Sequence, residues 1–288
     1  MAAYHRRRGG KTAAARRPLF CRIGQSACFG FASGNDRSFH CRCAFDSVRR
    51  TASAGSGSPA PEPAQHAFAA FQRQLTLNDE ARALLWQAIV RRKIENQADC
   101  LRLAGVKHEK YEEIQALADK VEPGDVRNVE ATAARKYFTA LFGCTFTRAD
   151  DDVTNAALNY GYAILRSSVA KTLAGYGFNC VLGLHHKSPT NPFNLADDLM
   201  EPLRPLVDLL VDTMCDELFE KLTAENRREL VSLVNLPVRF DGKTMRARYA
   251  IDRTVASLTT FLSTGSLDAF KLPTLLKIDR YYRDEQDD

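Results

Sequence analysis

Apolar residues recur at intervals of three and four through most of the chain after residue 65, which is the periodicity of amphipathic helices. The clearest case is a segment whose apolar face is formed by Trp86, Ile89, Val90, Ile94, Ala98 and Leu101. Thr76 or Asn78 is suited to cap the start of this helix, and Gly105 is suited to end it. The pattern predicts one long, largely buried helix here.

The same periodicity predicts five more helices, at Glu109–Val121, Val126–Phe142, 153–175, Asn194–Leu222 and Ala247–Leu262. A short apolar run, Cys180–Leu184, is predicted as a buried extended segment. Asp241-Gly242 between apolar flanks predicts a small hairpin. The fold class is therefore predicted to be mainly α, as a multi-helix domain.

The first 62 residues differ in composition from the rest. They hold eleven Lys or Arg and three Asp or Glu, a net charge of +8, and only three Leu, Ile or Val. So little aliphatic surface does not offset the conformational entropy of folding, which is roughly 1–2 kcal/mol per residue for the backbone alone. We predict a disordered, basic, low-complexity segment at 1–64 and an α-helical domain at 65–288.

The overall composition excludes several classes of protein. No apolar run approaches the ~18 residues of a membrane span. None of the eight cysteines forms a C-x-x-C pair, which argues against a disulfide scaffold and a simple zinc ribbon. A reduced bacterial cytoplasm is the expected location. The net charge of +5 becomes −3 once residues 1–62 are set aside, so binding of nucleic acid by the helical domain must depend on individually placed residues.

Glu130 is the first candidate for chemistry. On a helix it shares a face with Ala133, Tyr137 and Leu141, so its carboxylate lies on the apolar stripe. A buried carboxylate persists only when it is paired, protonated or bound to a metal. From position alone, an ion pair with an arginine of another helix is favoured over a metal site.

A second cluster comprises His185, His186, Asp197, Asp198 and Glu201. Asp198 and Glu201 are three residues apart, so they project from one side of a helix and can share an ion. An imidazole with several carboxylates suits Mg²⁺ or Mn²⁺ better than zinc. That side lies opposite a stripe of leucines, so solvated acids are the alternative interpretation.

Several motifs together resemble one known family. They are Asn159-Tyr-Gly-Tyr-Ala163 with Arg166, Gly183-Leu-His-His186, the run from Asp198 to Asp208, Trp86–Val90 and Lys93–Ala98. In combination they are similar to the CRISPR-associated adaptation integrases, the Cas1 family, and specifically to its type II branch. The resemblance extends over roughly residues 66–275.

The resemblance implies a function and a site. Members of this family are metal-dependent DNA endonucleases and integrases that join the 3′-hydroxyl ends of a captured prespacer to the CRISPR repeat, which is spacer acquisition in adaptive immunity against viruses. It implies that Glu130, His186 and Glu201 are catalytic and hold Mg²⁺ or Mn²⁺, with Asp198 as an additional acid. His186 is preferred to His185 because it keeps the family's distance to the following acids.

The resemblance also implies partners. They are double-stranded DNA, as prespacer and as CRISPR repeat, the small adaptation protein Cas2, and a second copy of the chain. Arg166, Lys187, Arg204 and Lys93 are candidates for phosphate contacts, with surface ion pairs as an equal alternative. Two other functions remain open at this point: a non-catalytic remnant that binds DNA or a partner, and a standalone nuclease for branched DNA.

The N-terminal part departs from the family pattern. Family members begin with a β-rich domain that builds the homodimer, whereas residues 1–62 show no alternation of apolar and polar positions. We expect this domain to be absent or replaced here, or the start or reading frame of the chain to be aberrant. The chain is accordingly expected to be mostly monomeric or loosely associated.

Overall fold

The computed structural model describes residues 63–278, and this part of the chain is mainly helical. Its α-helices are α1 (Pro63–Leu75), α2 (Asp79–Leu103), α3 (His108–Ala118), α4 (Val129–Phe142), α5 (Val153–Gly175), α6 (Asn194–Met200), α7 (Arg204–Thr213), α8 (Ala224–Val231) and α9 (Ala247–Thr264). The predicted fold class is confirmed. The segment predicted to be disordered lies, except for its last two residues, outside the described residues.

A small sheet accompanies the helices. Its strands are β1 (Pro237–Phe240), β2 (Lys243–Arg246) and β3 (Thr274–Leu275), in the order β2-β1-β3 with both pairings antiparallel. Asp241 and Gly242 have φ values of 48° and 76°, the left-handed conformation that a tight hairpin turn requires. The predicted hairpin is thus confirmed.

The long helix α2 lies at the centre of the fold, as its apolar face predicts. Asn78 is its N-cap and accepts a hydrogen bond from the backbone N–H of Ala81 at 2.8 Å. In the buried middle of α2, the amide of Asn96 donates to the carbonyls of Pro202 (2.6 Å) and Pro273 (3.1 Å). These bonds join α2 to the turn after α6 and to the segment before β3.

The single helix predicted at Asn194–Leu222 is wrong. After α6 the chain forms a 3₁₀ turn at Glu201–Leu203, and α7 then ends at Thr213. Pro202 and Pro205 have no N–H to donate, so a continuous α-helical ladder cannot pass through them. Glu201 therefore lies in a turn between two short helices and not within one long helix.

The extended segment predicted at Cys180–Leu184 is also wrong, because these residues form an irregular loop. Side chains from the N-terminal helices hold its backbone carbonyls. Gln74 donates to the carbonyl of Leu182 at 2.9 Å, and Arg82 donates to that of Gly183 at 2.8 Å. The loop is thus fixed by side-chain hydrogen bonds instead of strand pairing.

The other predicted helices are confirmed, with ends that differ from α3, α4, α5 and α9 by at most three residues. Helices α1 and α8 had no counterpart in the sequence analysis. No helix within residues 63–278 is long and apolar enough to cross a membrane.

Candidate active site

Two of the predicted site acids meet at one lysine. The ammonium Nζ of Lys93 lies 2.5 Å from Oε1 of Glu130 and 2.5 Å from Oε2 of Glu201. The two carboxylates, on α4 and on the 3₁₀ turn after α6, therefore share a single cation from α2. The ion-pair alternative for Glu130 names the right kind of contact, but the partner is a lysine and not an arginine.

The first turn of α4, which carries Glu130, is fixed by side-chain hydrogen bonds. The carboxylate of Asp125 accepts hydrogen bonds from the backbone N–H groups of Val129 (2.9 Å) and Glu130 (3.0 Å). Asn128, in the left-handed conformation with φ of 52°, caps the same turn. Two of the N–H groups that a helix start leaves unpaired are therefore satisfied by one buried acid.

Glu201 is closed to solvent and held on both oxygens. Its Oε1 lies 2.9 Å from Nε of Arg204, and its Oε2 faces Lys93. Burial raises the pKa of Glu201, but the positive charges of Lys93 and Arg204 outweigh this and hold the pKa below its ordinary value. Burial also lowers the pKa of Lys93, and the charges of Glu201 and Glu130 outweigh that and raise it. The site therefore holds ionised groups of both signs.

Asp198 is fully buried and bonded on both oxygens. Its Oδ2 accepts from the backbone N–H groups of Leu184 (2.5 Å) and His185 (3.1 Å), and its Oδ1 accepts from that of His186 (3.1 Å). Oδ1 also lies 2.6 Å from Nδ1 of the His186 ring. With so many donors, Asp198 acts as the organiser of this loop. Its role as an additional acid at the metal, which the resemblance implies, stays a prediction.

The same contacts set the state of His186. The hydrogen bond to Asp198 raises the pKa of His186, against the lowering effect of partial burial, and the charge of Glu201 raises it further. With Nδ1 used by Asp198, Nε2 is the ring nitrogen that remains available, as is usual for an imidazole oriented by a carboxylate.

The two adjacent histidines differ in their surroundings. The ring of His185 is stacked on Trp86, with centroids 4.2 Å apart and planes 4° apart. The ring of His186 is nearly perpendicular to the same indole, with ring centroids 5.8 Å apart. Trp86 is buried on α2, so its indole is a fixed surface against which the rings of His185 and His186 pack.

The interpretation of Asp198 and Glu201 as solvated acids is wrong, since both are buried. The helix face opposite the leucines is covered by the 180–193 loop and by α2. However, within residues 63–278 no three His, Cys, Asp or Glu side chains are arranged as a ready metal cage. Lys93 lies between the two glutamates. Glu130, His186 and Glu201, which the resemblance implies as metal ligands, therefore do not form one cluster of ligands around a common point.

The four candidates for phosphate contacts are placed differently from one another. Lys93 and Arg204 face the site acids, and the Lys93 side chain is only 10% exposed. Arg166 lies 3.9 Å from a carboxylate oxygen of Asp197, and its guanidinium lies over the Phe193 ring. Lys187 is exposed in the 180–193 loop, next to His186. Arg166 and Lys187 are therefore the two that are positioned to reach an external ligand.

Sequence reasoning missed part of this arrangement. Lys93 is seven residues after Trp86 and thus lies on the same apolar face of α2. A charge on an apolar stripe predicts a buried partner of opposite charge, and the same argument had been applied to Glu130. A charged residue on the apolar face of α2 and one of opposite sign on that of α4 together predict the Lys93–Glu130 ion pair.

Comparisons with known proteins agree with one another. The family model described as "CRISPR associated protein Cas1" matches residues 50–221. The CRISPR-associated endonuclease Cas1 of Neisseria meningitidis serogroup C (strain 8013) is 41% identical over 210 residues, which is 72% of this chain and 69% of that protein.

Solved structures share the fold. A partial Cas6-RT-Cas1–Cas2 complex contains a chain with a TM-score of 0.63 and 22% identity, covering 76% of each chain. A casposase bound to its integration product has a TM-score of 0.57 and 23% identity, covering 72% of this chain and 71% of the casposase.

Proposed function

This chain belongs to the Cas1 family of CRISPR-associated proteins, and we therefore propose that it is a divalent-metal-dependent DNA endonuclease and integrase that acts in CRISPR spacer acquisition. One observation carries the proposal: Glu130 and Glu201, from separate helical elements, share one cation beside His186. Two carboxylates from different elements that face one positive charge are also placed to face a divalent ion, which is what metal-dependent phosphodiester chemistry uses.

The donor set fits Mg²⁺ or Mn²⁺. Glu130 and Glu201 supply hard oxygen donors, and His186 supplies Nε2 once the ring has released its proton. The Lys93 ammonium is a stand-in cation, and it supports the ability of the two carboxylates to share a metal ion. When bound, such an ion activates a hydroxyl group and neutralises charge on a scissile phosphate.

The protein's own residues hold this donor set in place. Asp198 fixes the His186 ring through Nδ1 and fixes the backbone of the loop at the same time. Arg204 pairs with one oxygen of Glu201, and the other oxygen faces Lys93, the cation that Glu201 shares with Glu130. Asp125 anchors the helix start that carries Glu130.

We propose double-stranded DNA as the substrate, both as prespacer and as CRISPR repeat, and Cas2 as the protein partner. The casposase structure holds an integration product, and the Cas6-RT-Cas1–Cas2 structure contains Cas2, which supports these choices by analogy of fold. Arg166 and Lys187 are proposed to contact DNA phosphates near the His186 loop. Two copies of the chain are proposed to act on one DNA, as spacer insertion joins two ends.

A strand-transfer assay tests the proposal. The full chain is mixed with its Cas2 protein, a labelled prespacer with 3′-hydroxyl ends and a plasmid that bears the repeat, with Mg²⁺, Mn²⁺ or EDTA. The wild type is expected to join prespacer ends only with a metal. Glu130→Gln removes a charge at nearly constant shape and is expected to reduce joining to background.

Glu109→Gln is the matched control, because Glu109 is an exposed acid on α3. It is expected to act as the wild type does. Joining that persists in EDTA, or in Glu130→Gln at the wild-type rate, would exclude the proposed chemistry.

A further inference from the structure

Two motif residues that the proposed site does not use, Asp208 and Tyr162, meet inside the protein. Asp208 ends the run that begins at Asp198, and Tyr162 belongs to the Asn159–Ala163 segment. Asp208 is 1% exposed. The hydroxyl of Tyr162 donates a short hydrogen bond to its Oδ1. The hydroxyl of Tyr137 donates to its Oδ2 at 2.9 Å. One buried carboxylate thus receives a tyrosine hydroxyl on each oxygen.

These three residues come from three helices, two of which lead to the proposed site. Tyr137 is on α4, seven residues after Glu130, which is two turns along the same helix face. Asp208 is on α7, seven residues after Glu201. Tyr162 is on α5. The carboxylate therefore connects the helix of Glu130 to the helix that follows Glu201.

A second set of contacts returns from this cluster to the site. The guanidinium of Arg204 lies over the Tyr162 ring, 4.8 Å from its centroid, while its Nε lies 2.9 Å from Glu201. Lys93 then links Glu201 to Glu130. These contacts link Asp208, Tyr162, Arg204, Glu201, Lys93 and Glu130 in turn, and the backbone of α4 joins Glu130 to Tyr137, which returns to Asp208.

We propose that Asp208 is a positioning residue which, through Tyr162 and Tyr137, sets the separation of the Glu130 and Glu201 carboxylates. The inference rests on the proposed function in so far as that separation serves metal binding. An apolar side chain of similar volume would fill the same space, but it would not direct two hydroxyl groups from opposite sides. Without that direction, the Tyr162 ring is free to turn and Arg204 loses its support.

The test compares variants of the full chain. Asp208→Leu removes both acceptors, while Tyr162→Phe and Tyr137→Phe each remove one hydroxyl and keep the ring. Asp208→Asn retains an acceptor and a donor and serves as the conservative rescue. Tyr176→Phe and Asp252→Leu are matched controls, because Tyr176 donates to Asp252 at 3.2 Å in a similar pair on the exposed surface.

Two quantities are measured for each variant at a temperature where it is folded. One is the affinity for Mn²⁺, by titration calorimetry or electron paramagnetic resonance. The other is hydrogen exchange of the backbone amides of Val129 and Glu130 in EDTA. Outer contacts of metal ligands change affinity by about 10-fold to 100-fold. We expect about a 10-fold loss in Asp208→Leu, a smaller loss in each tyrosine variant, faster exchange in all three, and recovery in Asp208→Asn.

The results separate this inference from the proposed function. If Asp208→Leu, Tyr162→Phe and Tyr137→Phe match their controls in both measurements, Asp208 only fills space and the inference is wrong. If Asp208→Leu does not fold, the two tyrosine variants decide by the same criterion. If the wild type binds no Mn²⁺, the proposed function fails, and the exchange rates in EDTA alone decide whether Asp208 positions α4.

Discussion

Lys93 and Glu201 form an ion pair that is nearly closed to solvent, with Nζ and Oε2 2.5 Å apart and side-chain exposures of 10% and 4%. Lys93 makes the same contact with Glu130. Two acids of the proposed site are thus kept close by a positive charge that the protein itself supplies. The stability of the metal-free protein and the capacity of the site for a metal therefore depend on the same lysine.

We predict that Lys93→Met lowers the free energy of unfolding by about 3 kcal/mol in EDTA, because it removes the shared cation between two carboxylates and leaves only Arg204 to pair with Glu201. Mn²⁺ should then raise the melting temperature of this variant more than that of the wild type. Thermal and urea unfolding, with and without Mn²⁺, measure both effects. Lys136→Met is the control, because Lys136 pairs with Glu113 at an exposed position, where solvent screens the two charges and the pair contributes little to stability. Equal losses in the two variants would contradict the prediction.

The second prediction concerns pH. Burial raises the pKa of Asp208 from 3.8 to about 6, and the hydroxyls of Tyr162 and Tyr137 with the charges of Arg204 and Arg148 only partly offset this. The folded protein therefore holds the Asp208 proton more tightly than the unfolded chain. It follows that this residue's contribution to stability is largest below pH 4 and is lost as the pH rises through about 6.

Urea unfolding of the wild type and of Asp208→Asn from pH 4 to pH 7 isolates this contribution, because the other acids titrate in both proteins. The stability of the wild type relative to Asp208→Asn should decrease by up to about 3 kcal/mol over that range. A difference that is constant, or that grows with pH, would show that folding does not raise the pKa of Asp208.

The third prediction concerns Gly183, in the 180–193 loop that also carries His185 and His186. A Cβ at this position would clash with the carbonyl oxygen of His186 and lie 2.9 Å from Oδ2 of Asp198. Gly183→Ala should therefore displace the loop and lower the free energy of unfolding by about 1–3 kcal/mol. Strand transfer should fall with it, since the same displacement moves His186.

Gly175→Ala is the matched control for this change. Gly175 is at the end of α5, and a Cβ there meets nothing within 4 Å. Alanine should leave the stability unchanged or raise it by up to about 1 kcal/mol, because it restricts the unfolded chain. A Gly183→Ala protein as stable and active as Gly175→Ala would mean that the loop yields without effect.

The helices could be predicted from the sequence because each buries one apolar face, and periodicity records this directly. The break at Glu201 is predictable from Pro202 and Pro205, because their missing N–H groups interrupt the helix although the leucine pattern continues. The burial of Asp198 could not be predicted, because the loop that covers it has no periodicity. The contact of Asp208 with Tyr162 spans 46 residues, and a local pattern carries no information about it.

The last prediction concerns Trp86, the single tryptophan of the chain. Its ring is buried and supports His185 by stacking. Its Nε1 is buried, and no acceptor for it is found within residues 63–278. A buried N–H without a partner costs free energy, so the indole is kept at this position for its flat surface and volume more than for its polar atom.

Trp86→Phe should lower the free energy of unfolding by only about 1 kcal/mol, because it removes the unpaired N–H and keeps an aromatic ring against His185. Trp86→Ala should cost about 3–5 kcal/mol by opening a cavity, and it should abolish strand transfer even where it is folded, because the His185–His186 loop loses its support. Phe261→Ala on α9 is the control, since it opens a cavity of a similar kind in a helix that carries none of the proposed site residues. It should lose stability and keep activity at a temperature where it is folded. If Trp86→Ala also keeps its activity under those conditions, Trp86 contributes to the core alone, and the position of His186 depends on Asp198.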